Sequence, residues 1–332
     1  MNIFIFTWNT QSVGYTASNA HFIEQLIQKI TCKYHDLVII GLQEDSMRDS
    51  DLLDGEKIMV SKLAEAGFNP IDIISLSGWG STTFKALVND WNYKPRGLRL
   101  ALFKNCTSTI NIESVKSRTV VCPSWYNWLT NGKGGAIITI GTNIGTVTFL
   151  NMHLPFDSSS LIKGNDRSSA LMWQIKCFNY MCMQALQDNT SDYLFAFGDL
   201  NFRNQLRYES GAAQVAEKLD NVQYLYELIS EADELKLMLN YDQTNTFREG
   251  VHNIGPYFSP TCKLVKGREW TDTRMNYMLG SKDHRVPSWC DRILYACLKD
   301  TGHIVCTSYT GWDHYSMAQS DHASVIGSYS LY

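Results

Sequence analysis

The chain has 332 residues, 44% apolar and 19% charged, which excludes disorder for most of its length and allows a sizeable buried core. Its formal net charge of −4 argues against a general binder of polyanions. The apolar runs Leu37–Leu42 and Ala136–Ile140 are far shorter than the ~18–20 residues that a membrane-spanning helix needs.

In chain order, Ile3–Trp8 alternates like a strand and is rich in aromatics. Ala20–Ile30 sets Phe22, Ile23, Leu26, Ile27 and Ile30 on one side, which predicts a helix. Leu37–Leu42 suits a buried strand. Glu56–Ala66 predicts a helix, ended by Gly67-Phe68-Asn69-Pro70. Ser77–Lys94 is a loop. Leu98–Phe103 and Ala136–Ile140 are strands, and Gly141–Gly145 turns the second into Thr146–Met152 as a hairpin. A long helix is predicted over Ser169–Gln187, then a strand over Tyr193–Phe197 that stops at Gly198-Asp199. Val222–Leu239 is helical. Ile293–Leu298, Ile304–Tyr309 and Ala323–Tyr329 are closing strands. No repeat or low-complexity linker divides this order. One domain over residues 1–332 is expected, of class α/β (α+β), with two face-to-face sheets and helices outside.

Nine cysteines occur, none in a Cys-x-x-Cys pair, so a zinc ribbon is not expected. The chain opens Met1-Asn2-Ile3-Phe4 without a basic start, and Tyr329–Tyr332 carries no prenylation cysteine. Reduced thiols and a cytoplasmic location are the expectation, with transient contact at membrane surfaces.

Polar residues at strand ends carry the chemistry, because strand ends hold groups rigidly yet within reach. Five places qualify: Trp8-Asn9, Gln43-Glu44, Asn151–Leu154, Gly198–Asn201 and Ser320–His322. Glu44, Asp199 and Asp321 are carboxylates; Asn9 and Asn201 are neutral oxygen donors. Hard oxygen ligands suit Mg²⁺, which keeps several waters and takes phosphate oxygens. His153 and His322 can donate to a phosphate or exchange protons. From Pro260 to Arg292 the chain is locally +3, against −7 elsewhere, which suits a small dense anion as ligand.

The order and spacing of these residues resemble the endonuclease/exonuclease/phosphatase superfamily, and within it the inositol polyphosphate 5-phosphatases. Phe197–Arg203 matches the family's Gly-Asp-x-Asn-(Phe/Tyr)-Arg, and Arg285–Leu294 contains its Pro-(Ser/Ala)-Trp-Cys-Asp-Arg in full. Gly41–Glu44, Lys133–Gly135, Asn151–Leu154, Pro260–Lys263 and Ser320–His322 are supporting matches. The resemblance runs from Ile3 to about Tyr329, essentially the whole chain.

The resemblance implies a DNase I-like four-layer α/β-sandwich of two mainly antiparallel sheets flanked by helices. It also implies a Mg²⁺-dependent phosphomonoesterase that removes the 5-phosphate by direct in-line water attack, without a phosphoenzyme. Glu44 would be the principal Mg²⁺ ligand, with Asn9 and Asp321 nearby. Asp199 and Asn201 would orient water and phosphate, with Asp199 activating the water. His322, held by Asp291, would donate to the scissile phosphate, and His153 would contact it too. Lys263, Lys282 and Arg285 would bind the neighbouring 4-phosphate, with Arg292 and Lys133 as further substrate contacts.

Two departures from the family pattern stand out. Cys262 takes the place of a tyrosine, which removes a hydroxyl contact to the 4-phosphate. Leu154-Pro155-Phe156-Asp157 takes the place of Leu-Ala-Ala-His, so a histidine is missing and Arg167 is the candidate replacement for its positive charge. The expected substrate is phosphatidylinositol 4,5-bisphosphate or the 3,4,5-trisphosphate, with soluble inositol polyphosphates as the variant. The aromatic segments Trp79–Phe84 and Pro123–Leu129 are candidates for peripheral membrane contact. A monomer that binds no nucleic acid is expected. The alternatives are a DNase I-like or abasic-site nuclease, a sphingomyelinase-type phosphodiesterase, and a non-catalytic phosphoinositide-binding module. The Trp-Cys-Asp-Arg motif and the overall negative charge oppose the first two.

Overall fold

Strands that are apolar on both faces must be covered on both faces. In β1 (Asn2–Asn9), Ile3 and Ile5 point one way, and Phe4, Phe6 and Trp8 the other, and all five are buried. A computed structural model describes residues 1–11, 20–46, 49–77, 96–123, 133–156, 168–187, 191–205, 215, 218–219, 221–241, 246–266, 277–278, 286–312 and 319–332. After β1 come α1 (Ala20–Thr31), β2 (Leu37–Ser46), α2 (Asp49–Glu65), β3 (Phe68–Ser77), β4 (Arg96–Asn105) and β5 (Ile112–Val121). Next are β6 (Gly134–Thr142), β7 (Gly145–His153), α3 (Ser168–Ala185), β8 (Tyr193–Asp199), α4 (Val222–Glu231) and α5 (Glu234–Tyr241). The chain closes with β9 (Arg248–Glu249), a 3₁₀ turn (Val251–Asn253), β10 (Asp291–Cys297), β11 (Ile304–Trp312) and β12 (Ser324–Leu331).

The strands form two sheets, ordered β11-β12-β1-β2-β4-β3 and β5-β6-β7-β8-β10-β9. Among the paired strands, β1 runs parallel to β2 and β7 parallel to β8; the other pairs are antiparallel. Ile3, Ile5, Leu37, Ile39, Leu100 and Leu102 of the first sheet pack on Ile138, Phe149, Phe195, Phe197 and Ile293 of the second. On the outer face of the first sheet, Phe22, Leu26 and Ile30 of α1 and Met59 and Leu63 of α2 meet Phe4, Phe6 and Trp8. On the outer face of the second, Cys177, Phe178 and Met181 of α3 cover Leu150, Met152, Leu194 and Ala196. The result is the expected helix–sheet–sheet–helix stack.

Three element assignments differ from the sequence expectation. β3 lies where a helix stop was expected. It is an edge strand with Pro70 beside a register shift, a place where a missing N–H is tolerated. β5 has no apolar alternation because, as the other sheet's edge, it is mostly exposed. The helix expected over Val222–Leu239 breaks at Ala232-Asp233. Asp233 there accepts from the Lys236 N–H (3.1 Å) to start α5, and pairs with Arg292.

Arg292 is fully buried in β10. Its Nε donates to Glu249 Oε1 (2.6 Å), Nη1 to both Asp233 oxygens (2.9 and 3.0 Å), and Nη2 to Glu249 Oε2. Tyr309 Oη donates to the same Glu249 (2.6 Å). The network ties together both sheets and the start of α5. The expectation that Arg292 binds substrate is therefore corrected: every guanidinium nitrogen is engaged inside the fold. Taking away one partner of such a group strands a buried charge, at a cost of about 3–5 kcal/mol.

Two carboxylates against one guanidinium leave an excess negative charge. Burial pushes Asp233 up to about 6, against the pull of Arg292 and helped by Glu249. A carboxyl raised above its ordinary 3.8 binds its proton more tightly in the folded chain. Its contribution is thus complete below pH ~4 and lost as pH rises through ~6. Asp233→Asn keeps an oxygen for the Lys236 N–H and removes the titration. Denaturant unfolding from pH 4 to 7 should show wild type losing on the order of 2–3 kcal/mol relative to this variant. Parallel pH profiles for the two proteins would refute the assignment.

Candidate active site

The two parallel pairs bring the carboxyl ends of β1, β2, β7 and β8 to one end of the sandwich. β10 and β12 run the other way and begin there. Asp199 sits centrally, with His153 beside it in register on β7 and Asp291 on β10. In the facing sheet Asn9 lies beside Gln43. The β2–β4 register shifts between Leu42 and Asp45, and Glu44 takes a left-handed φ of 49° at this irregularity. Asn201 is likewise left-handed, with φ 57°. Such backbone in residues other than glycine costs of order 1 kcal/mol or more and concentrates at functional sites.

Amide groups join the sheets just beneath the site. Gln43 Nε2 donates to Thr7 Oγ1 (2.9 Å) and Asn151 Oδ1 (2.7 Å). Asn151 Nδ2 donates to the Leu42 and Arg99 carbonyls (3.2 and 2.8 Å). The approach is so close that a Cβ on Gly41 would lie 2.5 Å from Phe197 and 2.9 Å from Asn151. Gly198, at φ 127°, would push a Cβ into the Met152 carbonyl.

Asp199 is buried. Its Oδ2 accepts from Asn9 Nδ2 (2.8 Å) and lies 3.3 Å from His153 Nε2, while Oδ1 accepts from the Asn201 N–H (3.1 Å). Burial alone would raise its pKa. The surrounding His322, His153 and Lys133 outweigh burial and hold the carboxyl below the usual range. His322 Nδ1 lies 2.8 Å from Asp291 Oδ2, which also accepts from Thr261 Oγ1 (2.7 Å). Burial disfavours the imidazolium, but Asp291, Cys262 and Asp199 together hold its pKa well above the ordinary value. Burial, aided by Lys133, lowers that of His153. The two histidines are thus shifted in opposite directions. Trp8 Nε1 donates to the His322 carbonyl (3.0 Å), and Ser320 Oγ to the Asn9 carbonyl (2.6 Å). Thr261, Trp8 and Ser320 lie inside the motif segments, yet sequence reasoning gave their side chains no role.

Glu44 Oε1 lies 3.9 Å from His153 Nε2, and Lys133 Nζ touches that same nitrogen. Lys263 Nζ lies 3.1 Å from Asp321 Oδ2. The structure thus brings Asn9, Glu44, His153, Asp199, Asn201, Asp291, Asp321, His322, Lys133 and Lys263 to one end of the fold. Arg167, Lys282 and Arg285 lie outside the described residues, as do Trp79–Phe84 and residues 124–132. Cys262 is fully buried and accepts from Arg203 Nη1 (3.5 Å), so its sulfur faces the interior.

The donor set fits a hard divalent cation. Glu44, Asp199, Asp321 and Asn9 offer oxygen, and Asp321 Oδ1 is buried without a hydrogen-bond partner among the described residues. Asp199, Asp291 and His322 also place one ligand-type atom each within 4.8 Å of one another. His322 Nδ1 is already taken up by Asp291 Oδ2, so that trio reads as a histidine held by a carboxylate.

A family profile described as Endonuclease/Exonuclease/phosphatase family 2 matches residues 6–328. The chain belongs to that family. It is 26% identical over 350 residues to phosphatidylinositol 3,4,5-trisphosphate 5-phosphatase 2 of Homo sapiens, across 100% of this chain and 24% of the relative. Phosphatidylinositol 3,4,5-trisphosphate 5-phosphatase 1 of Homo sapiens is 23% identical over 300 residues, across 89% of this chain and 22% of the relative. The chain therefore spans about a quarter of the length of these curated relatives. Among solved structures, the inositol polyphosphate 5-phosphatase domain of spsynaptojanin, in complex with inositol (1,4)-bisphosphate and calcium ion, superposes with TM-score 0.67 at 21% identity. That match covers 99% of this chain and 83% of the other. The Cimex nitrophorin ferrous NO complex superposes with TM-score 0.66 at 17% identity, covering 100% and 98%. Likeness of fold alone therefore does not decide the chemistry, which rests on the side chains at the strand ends.

Calorimetric titration with MgCl₂ or CaCl₂ should detect binding that Glu44→Ala weakens roughly 10-fold or more, without shifting thermal unfolding by circular dichroism. Equal affinity in the variant would remove Glu44 from the ligand set.

Proposed function

We propose that the chain is a Mg²⁺-dependent phosphoinositide 5-phosphatase, acting on phosphatidylinositol 4,5-bisphosphate or the 3,4,5-trisphosphate in preference to soluble inositol polyphosphates. The observation that carries this reading is the placement at one strand end of a buried Asp199 beside a His322 whose Nδ1 is held by Asp291 at 2.8 Å. One group suits an attacking water and the other a phosphate oxygen. The family and the named relatives support it.

Asp199 accepts a hydrogen bond from the water and aligns it opposite the leaving ring oxygen. As the water oxygen bonds to phosphorus, the bond from phosphorus to the ring oxygen breaks; one water proton stays with the released phosphate and the other ends on the ring oxygen as the hydroxyl. His322, with Nδ1 on Asp291, donates from Nε2 to a phosphate oxygen, and its charge offsets what develops there. His153 orients the same group. Glu44, Asp321 and Asn9 would hold the Mg²⁺, which would supply charge neutralisation at the phosphate and the leaving oxygen. Lys263 takes a neighbouring ring phosphate by exchanging Asp321 for it, with Lys282 and Arg285 contributing from the basic segment. We place the activity in the cytoplasm at membrane surfaces, with a single chain as the working unit.

Phosphate release with Mg²⁺ should appear from vesicles containing phosphatidylinositol 4,5-bisphosphate, and more weakly from inositol 1,4,5-trisphosphate. Asp199→Ala should lower kcat by on the order of 10³-fold while thermal unfolding persists. Absence of release from every 5-phosphorylated inositide tried would sink the proposal.

A further inference from the structure

Asn201 follows Asp199 by two residues, and its side-chain amide is gripped at both ends. Nδ2 donates to the Leu154 carbonyl (2.9 Å), and Oδ1 accepts from Arg203 Nη2 (2.7 Å). A backbone carbonyl can only accept and a guanidinium can only donate. The two contacts therefore fix which end of the amide is oxygen and which is nitrogen. One N–H is spent on Leu154, and the second is left on the nitrogen.

Arg203 is itself held from several sides. Its guanidinium carbon lies 4.2 Å from the centre of the Phe156 ring, Nη1 donates to Cys262 Sγ, and its backbone N–H donates to Glu234 Oε2 (2.8 Å). It is 5% exposed. Stacking on Phe156 holds the planar fork and lets one edge face Asn201. Cys262 and Phe156 both stand at positions where the sequence departs from its family's pattern, and both touch this arginine.

We propose that Arg203 is a positioning residue that acts through Asn201, locking the amide so that it offers an N–H, rather than an oxygen, to the substrate phosphate. Phe156 sets the plane of the guanidinium. The inference rests on the proposed phosphatase reaction for its rate consequences; the amide lock itself does not need that reaction.

A rate cycle on the full chain tests it. Arg203→Lys keeps the charge but loses the fork, and should lower kcat on vesicle substrate by on the order of 10- to 100-fold. In the Asn201→Ala background the same change should cost less than about 2-fold, because the group it positions is gone. Phe156→Leu leaves the arginine in place. It should give a smaller loss that likewise disappears in Asn201→Ala, and it carries the test if Arg203→Lys does not fold. An equal loss with and without the Asn201 amide would overturn the proposal. A second readout is independent of turnover: the Asn201 side-chain ¹⁵N resonance, assigned by its absence in Asn201→Ala, should shift in Arg203→Lys and Phe156→Leu. An unmoved resonance also overturns it. A wild type that releases no phosphate would remove the reaction, and the resonance would then decide the lock by itself.

Discussion

The structure turns on one buried contact between the sheets, the hydrogen bond from Asn9 Nδ2 to Asp199 Oδ2. An ionised carboxylate inside a protein must be supplied with donors and counter-charge, or its burial costs several kcal/mol. The first sheet supplies Asn9, and the second supplies the Asn201 N–H. For both to reach Asp199 the sheets must meet at this end, and Gly41 and Gly198 leave the room for it. The Gln43–Asn151 pair holds the same seam one layer down. The site is therefore a seam in the sandwich, and neither sheet makes it alone.

Charge balance follows from that geometry. Asp291, Asp199 and Asp321 are each buried, and each has a basic group near it: His322 lies between the first two, and Lys263 rests on the third. Lys133 adds a further positive group at His153. Under the proposed reading, an arriving phosphate would meet basic groups already occupied by carboxylates. Its binding would be an exchange of anionic partners, more than the filling of a positive hole.

Much of this was legible in the sequence, for a physical reason. The central strands are buried on both faces, so they stand out as apolar runs, and the polar residues that interrupt them mark the site. The edge strands β3 and β5 lack that contrast: one carries Pro70, and the other is mostly solvent-facing. α2 begins seven residues before the expected Glu56 and runs through Gly55, a residue that disfavours helix by ~1 kcal/mol. Motifs fix residue identity but not the direction of a side chain. Arg292 and Cys262 sit inside motif segments that suggest ligand contact, and both turn inward. Arg203 was visible as a motif letter, but its grip on Asn201 depends on a χ angle and a neighbouring ring, which no spacing encodes.

The inward turn of Arg292 bears on how variants of this chain should be sorted. Asp291 and Arg292 are adjacent in one strand, yet one faces His322 and the other bolts β9, β10 and α5 together. Under the proposed function, changes at either position would silence the protein in an activity screen, for different reasons. An Arg292 variant would lose abundance through the fold, whereas an Asp291 variant, although it too removes a buried group, would in addition take from His322 the carboxylate that holds it. Abundance, measured alongside turnover, is what separates two neighbours that a sequence motif presents as one unit.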